Sequence, residues 1–431
     1  MADAVTSNNA LPLSCKAQRT QEQPISYLMQ AVADNPALIN LAAGLVDDAT
    51  LPVDAARQIT NALLESDARG RAALQYDTTR GLAGLRQAVL GHLEALESRS
   101  ATSMSLSADD VLVTTGSQQA LYLIADVLVD PGDIVITSNP SYFVFSAVLT
   151  SVGAKVMAVP MDDDGMRTDA LEGLLSRLEA EGRLDRVKFI YCTSYFQNPT
   201  GLTLSLQRRR QMLEIARRFS RRHRLLIVED AAYRELCYDG EALPSIKSFD
   251  PDNQYTVLTQ TFSKPFAPGI KTGYSFMPRD LLDAVARQKG NHDFGSANLC
   301  QHIALQAMSD GSYMQQVQRL RDGYRRKRDI MLAALDRHMP RVDGLHWTRP
   351  RGGLYIWMTL PASIDTSRGS AMFESCLAHG VLYVPGAYCF HPDEQGHIPT
   401  NHLRLSFGQV DAEKIEPGIE RLAAVVREQL Q

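Results

Sequence analysis

Between residues 110 and 276 the chain switches repeatedly between two hydrophobic patterns. Short apolar, often β-branched runs occur at VLVTT (111–115), IVITS (134–138), KVMAVP (155–160), VKFIYCT (187–193), LLIVED (225–230) and TVLTQT (256–261). Longer stretches with helical spacing lie between them, such as SQQALYLIADVLVD, FVFSAVLTSVG, TDALEGLLSRLEAEG and LQRRRQMLEIARRFSRRH. Runs of this kind separated by helices predict crossover units and a mainly parallel sheet covered on both faces. KTGYSFM (271–277) reads as a seventh strand and a candidate for antiparallel pairing.

The flanks follow other patterns. Residues 1–24 are polar and read as a loose arm. SYLMQAVADNP is a helical pattern ended by Pro36, LINLAAG a short strand that turns at Gly44, and Pro52 opens the helix VDAARQITNALLESD. In the C-terminal third, a long helical pattern over SYMQQVQRLRDGYRRKRDIMLAALDRHM precedes three strand-like runs, GGLYIWMTL, VLYVPG and LRLSFG. Helices are expected at 369–379 and 411–429. The predicted fold class is therefore α/β: a mainly parallel seven-stranded sheet with helices on both faces, plus a smaller α+β domain. The expected division is an arm over 1–24, the first part of the small domain over 25–75, the large domain over 76–319 and the rest of the small domain over 320–431.

Composition adds little to this picture but excludes several classes. The net charge is −5, and the basic runs at Arg208-Arg209-Arg210 and Arg325-Arg326-Lys327-Arg328 sit in helical patterns, so they read as solvated faces and not as a nucleic-acid surface. No C-x-x-C pair joins any of the six cysteines, and scattered single thiols fit a reducing compartment. Neither a secretory leader nor a membrane-length apolar run is seen, so a cytoplasmic location is expected. Histidines form no H-E-x-x-H pattern, and His397 and His402 read as structural; no metal is expected.

The chemistry is expected where strands end. In an open parallel sheet, ligands bind in the crevice beyond the carboxyl ends of the strands. Unusual polar residues stand at each of those ends: Gly116-Ser117-Gln118, Asn139-Pro140-Ser141-Tyr142, Asn198-Pro199-Thr200-Gly201, Asp230 with Tyr233, and Thr261, Ser263 and Lys264. Any one group alone would be a turn or a helix cap. GIKTG (269–273) is no phosphate loop, because Ile270 separates the glycine from Lys271.

The segments TTGSQQAL (114–121), NPSY (139–142), QNPTG (197–201), EDAAY (229–233), TFSK (261–264), GGLYIW (352–357), VPGAYCF (384–390) and LRLSF (403–407) resemble, in order and spacing, the fold-type I pyridoxal-phosphate aminotransferases. The kynurenine/aminoadipate branch is the most similar, and the resemblance runs from about Leu41 to the C-terminus. It implies pyridoxal 5'-phosphate as cofactor and Lys264 as the amine that forms a Schiff base with its aldehyde. Asp230 matches the carboxylate that partners the pyridine nitrogen, Asn198 and Tyr233 the groups bonding the phenolic oxygen, and Tyr142 the ring that stacks on the cofactor. Gly116, Ser117, Gln118, Thr261 and Ser263 match the phosphate site, where helix N–H groups and hydroxyls suit an anion. Lys271 stands where the family has an arginine, which keeps the charge but loses the planar fork.

Tyr76 matches a tyrosine that reaches the phosphate from a neighbouring subunit, so a homodimer is implied with active sites at its interface. Arg404 and Gly44 match the partners of the substrate α-carboxylate, and Tyr142 and Asn198 border the same substrate site. Asp47 and Asp48 replace prolines that follow this glycine in the branch, a departure beside the substrate pocket. The expected reaction moves an amino group from an L-amino acid to a 2-oxo acid, 2-oxoglutarate by resemblance, through Lys264. A lyase, decarboxylase or cyclase using the same cofactor is the alternative. A non-enzymatic regulator of this fold is a minor one, since only about 25 residues precede the fold, too few for a helix-turn-helix domain.

Overall fold

The computed structural model describes residues 11–22, 24–241 and 243–431. Of the arm expected over 1–24, residues 1–10 and 23 lie outside that range. Within the arm, Cys15–Arg19 is a short helix held to the body by Lys16 on Asp126 at 2.5 Å and by Arg19 Nε on the Ser151 carbonyl at 3.2 Å. These ties fix a segment whose polar sequence reads as loose.

The first strand, β1 (Ile39–Asn40), is only two residues long. The sheet region follows with β2 (Val111–Thr114), β3 (Ile134–Asn139), β4 (Lys155–Asp162), β5 (Gly165–Met166), β6 (Val187–Thr193), β7 (Leu226–Asp230), β8 (Thr256–Thr261) and β9 (Gly273–Phe276). They lie in the order β2-β9-β8-β7-β6-β3-β4-β5. The core strands β4, β3, β6, β7 and β8 are parallel, and β9 runs antiparallel between β2 and β8. The expected seven strands are present, and the two-residue β5 adds an eighth by folding back on β4.

Successive side chains on a strand point to opposite faces, and here both faces are apolar. Ile134, Ile136, Ile190 and Ile227 enter one core with Leu171, Leu175, Met212 and Leu213 from the helices Thr168–Ala180 and Leu206–Arg218. Val135, Phe189, Tyr191 and Val228 enter the other with Leu121, Ile124, Phe145 and Val285 from Gly116–Leu128, Phe143–Val152 and Arg279–Asp293. The connections from β3 to β4, β4 to β6 and β6 to β7 each cross over a helix, while β7 reaches β8 through a loop with the 3-10 turn Lys247–Phe249, and the carboxyl ends of β2, β3, β6, β7 and β8 meet on one edge.

The C-terminal part holds β10 (His346–Trp347), β11 (Tyr355–Thr359), β12 (Val381–Leu382), β13 (Val384–Pro385) and β14 (His402–Ser406). An antiparallel sheet forms in the order β10-β11-β14-β13, while β12 pairs with β1. Ile415, Ile419, Leu422 and Val426 recur at helical spacing along Ala412–Gln429, a stripe buried in the same core as Met331 and Leu335 of the long helix Ser312–His338. Two positions of this small sheet, Tyr355 on β11 and Arg404 on β14, face the carboxyl edge of the large one.

Candidate active site

A cavity of about 400 Å³ opens where the two sheets meet, a size suited to a small organic ligand. Asp230, Asn198, Tyr142, Tyr233, Lys264, Arg404, Gly44, Gly116, Ser117, Gln118, Thr261, Ser263 and Lys271 all line it. The side chains expected to act from separate strand ends are thus brought together, with one exception.

Asp230 is the last residue of β7 and is buried. Its Oδ2 accepts from the Tyr191 hydroxyl at 3.0 Å and its Oδ1 from the Ala232 N–H at 3.2 Å. Burial pushes its carboxyl up to about 6, against these two hydrogen bonds, which favour the anion. The group therefore remains mostly a carboxylate at neutral pH and is sensitive to a nearby cation.

Arg404 is buried to 1% exposure on β14. Its Nη1 donates to Asn198 Oδ1 and its Nη2 to the Ala42 carbonyl, both at 2.7 Å. Its Nε has no partner among the described residues, and its guanidinium lies 4.3 Å from the centre of the Tyr355 ring. A buried, always-charged guanidinium with only neutral partners suits an incoming carboxylate. Tyr355 also shares a 3.0 Å hydrogen bond with the Tyr233 hydroxyl, and a side chain on Gly44 would overlap its phenol oxygen. A glycine at 44 therefore lets the chain pass against Tyr355.

Lys264 follows β8, and its Nζ donates to the Gly44 carbonyl at 2.8 Å. Burial lowers the basicity of this amine; Tyr355 opposes the shift, while Arg404 and Lys271 add to it. An amine poised this way is available as a neutral nucleophile and proton carrier.

Across the cavity, Gly116 takes φ +71° and starts the helix Gly116–Leu128, whose first N–H groups have no partners within the helix. Thr261 Oγ1 donates to Ser263 Oγ at 3.0 Å on the same wall. β9 closes this wall tightly, since a Cβ on Gly273 would sit 2.7 Å from the Ser117 nitrogen. Lys271 is exposed and takes the left-handed backbone with φ +48° after the 3-10 turn Pro268–Ile270. Helix N–H groups, two hydroxyls and one cation form a cradle for a dianionic phosphate.

Tyr76 is the exception. It is 81% exposed, stands edge-on to Phe294 with ring centroids 5.6 Å apart, and does not line the cavity of its own subunit. Asp47 also lies otherwise than its sequence position suggests. It is buried, its carboxylate pairs with Lys327 Nζ at 3.1 Å, and its backbone N–H donates to the Tyr324 hydroxyl at 3.0 Å, so its charge faces the long helix and not the cavity. Asp48 starts the 3-10 turn Asp48–Thr50 and is more open to water.

Reading by strand ends passed over Tyr191, Thr193 and Phe143. Tyr191 and Thr193 alternate on β6, and both point at the edge where Asp230 emerges; that period-two spacing was the available signal.

An amine of lowered basicity, a buried carboxylate, a phosphate cradle and an orphaned guanidinium nitrogen fit pyridoxal phosphate with its amino-acid partner. Fold and site define a fold-type I pyridoxal-phosphate enzyme. The family model for aminotransferase class I and II matches residues 36–422, and the chain belongs to this family. Aromatic-amino-acid aminotransferase 1 of Thermococcus litoralis is 36% identical over 416 residues, 96% of this chain and 94% of that one. The kynurenine aminotransferase of Pyrococcus horikoshii, solved in complex with PMP, aligns at a TM-score of 0.88 and 33% identity over 97% of this chain and 98% of that one. The α-aminoadipate aminotransferase of Thermus thermophilus, complexed with N-(5'-phosphopyridoxyl)-L-leucine, aligns at 0.83 and 30% identity over 97% and 98%.

The Asp230 carboxyl at about 6 sets a pH dependence. Protonation removes the anion that a pyridinium nitrogen needs, so affinity of the cofactor-free protein for pyridoxal phosphate is expected to fall as pH drops below about 6, by up to about tenfold per unit. Equilibrium dialysis from pH 8 to 5 checks this against Asp230→Asn, which keeps every titrating group of protein and cofactor except this carboxyl. A wild-type curve parallel to that of the variant would contradict it.

Proposed function

We propose that this aminotransferase takes the amino group of an L-amino acid with an apolar side chain and passes it to 2-oxoglutarate in two alternating half-reactions. The convergence of Lys264, Asp230 and Arg404 in one cavity carries this reading. Pyridoxal phosphate supplies an aldehyde carbon that exchanges oxygen for nitrogen and a ring that withdraws electrons from the donor's α-carbon. Asp230 would partner the ring nitrogen, Asn198 and Tyr233 the phenolic oxygen and Tyr142 the ring, and Ser117, Gln118, Thr261, Ser263 and Lys271 would hold the phosphate. Arg404 grips the α-carboxylate beside Gly44, which orients the α-hydrogen toward Lys264. The Lys264 amine would take up that proton and hold it for return within the same site.

The side-chain end of the cavity supports the choice of donor. Met29, Leu45, Phe143 and Val144 line it, and the cations among the described lining residues are Lys264, Lys271 and Arg404, each of which has a task. The shorter side chain of aspartate would leave its carboxylate desolvated among these residues without a partner. Met29 and Leu45 remain about 42% and 41% exposed, so the mouth is wet enough for the second carboxylate of 2-oxoglutarate to keep its water.

The exposure of Tyr76 supports a homodimer in which it enters the phosphate cradle of the partner subunit. The two sheets support a large cofactor-binding domain over 76–319 and a small domain formed by 25–75 and 320–431. Six free cysteines, and the absence of any helix long and apolar enough to cross a membrane among the described residues, support a cytoplasmic location.

A donor panel with 2-oxoglutarate as acceptor tests the substrate class. Leucine, methionine, phenylalanine and tyrosine are expected to exceed aspartate in kcat/KM by about tenfold to a hundredfold; equal use of aspartate would overturn the apolar assignment. Sedimentation velocity checks the assembly: a dimer is expected at micromolar concentration, and Tyr76→Phe weakens cofactor binding without dissociating the dimer. A fully active monomer would remove the role of Tyr76.

A further inference from the structure

Behind Asp230, on the side away from the cavity mouth, stands a residue that no reading of strand ends selects. Tyr191 is 1% exposed in the centre of β6, one strand over from β7. Its ring packs on Phe145 with centroids 4.4 Å apart, and Phe145 belongs to the helix that begins just after Tyr142. Its hydroxyl donates to Asp230 Oδ2 at 3.0 Å and lies 3.3 Å from Thr193 Oγ1.

We propose that Tyr191 is a positioning residue for cofactor binding: its hydroxyl pins the Asp230 carboxylate from behind and holds it as an anion. The proposal rests on the reading of Asp230 as partner of the ring nitrogen. A buried carboxylate without donors reverts to its neutral acid, which cannot balance a pyridinium charge. Among the described residues Asp230 has two donors, the Tyr191 hydroxyl and the Ala232 N–H. The Ala232 N–H is main chain and present with any residue but proline at that position, so the tyrosine is the side-chain donor that the sequence supplies.

Burial keeps the Tyr191 phenol far above its ordinary pKa, so it stays a donor throughout the working range. The other titratable neighbours that feel Asp230 are the Tyr142 phenol and the Cys192 thiol, and burial likewise keeps both un-ionised. Tyr191 also links two parts of the site. The same ring braces the helix that positions Tyr142 and donates to the carboxylate that positions the ring nitrogen. Stacking and charge balance are thereby held in one geometry.

Tyr191→Phe removes only the oxygen and leaves the packing on Phe145. The test compares it with wild type and Asp230→Asn. The readouts are the pyridoxal phosphate dissociation constant of protein freed of cofactor, and the ¹⁵N resonance of ring-labelled pyridoxal phosphate in the loaded protein. Loss of a hydrogen bond to a charged group is expected to weaken binding about tenfold or more. The acid midpoint of binding should move to higher pH, and the ring nitrogen toward its unprotonated resonance. Unchanged values in Tyr191→Phe, with Asp230→Asn strongly affected, would overturn the role of Tyr191 even if the melting temperature fell. If Asp230→Asn itself bound pyridoxal phosphate normally, the underlying reading of Asp230 would fail instead.

Discussion

The carboxylate of Asp230 stands at the end of a strand with all five residues buried, and little water reaches it there. Desolvation drives an acid and an amine toward their neutral forms, so the same environment raises Asp230 and lowers Lys264. Both shifts serve the chemistry only if something restores charge where it is needed. Tyr191 and the Ala232 N–H do this for Asp230, while among the described residues no carboxylate pairs with Lys264. A parallel sheet suits this task because it buries its strands on both faces and releases their carboxyl ends together.

The segment that carries Asp230 and Tyr233 is braced by a second layer of buried charge. Glu229 accepts from Ser194 Oγ at 2.7 Å and from the N–H groups of Ile246 and Lys247. Arg209, fully buried, donates to three carbonyls and lies 4.1 Å from the centre of the Tyr195 ring, on which Arg234 also sits. Arg234 pairs with Glu97 at 2.6 Å. Removing one partner of such a network leaves an uncompensated buried charge, so it fixes the loop after β7 more firmly than it stabilises the fold. The antiparallel sheet adds Arg404 and Tyr355, so the carboxylate site proposed around Arg404 needs the two sheets docked.

Much of this was readable in the chain, for identifiable reasons. The parallel strands announced themselves because Ile134, Val135 and Ile136 face two different cores and must all be apolar. Most of the cavity residues were visible because they stand at or just after strand ends, where chemistry rather than packing selects a polar side chain; Arg404 within β14, Gly44 and Lys271 came from the family resemblance. Three features escaped. The two residues of β5 are too few to show a period. Tyr191 sits inside an apolar run, so its hydroxyl looked like part of the core until Asp230 was placed beside it. Asp47 read as a change in the substrate loop because Lys327, its partner, lies far along the chain on another helix.

The central claim is that Lys264 moves a proton within a site built to exchange amine for oxo group. A single-turnover experiment tests it most directly: cofactor-loaded protein is mixed with excess L-leucine and no acceptor, and oxo acid, ammonia and carbon dioxide are counted. The account predicts one equivalent of oxo acid per subunit, no ammonia or carbon dioxide, and no product with Lys264→Ala. Continuous release of ammonia or carbon dioxide by the wild type, or undiminished turnover in the variant, would contradict it.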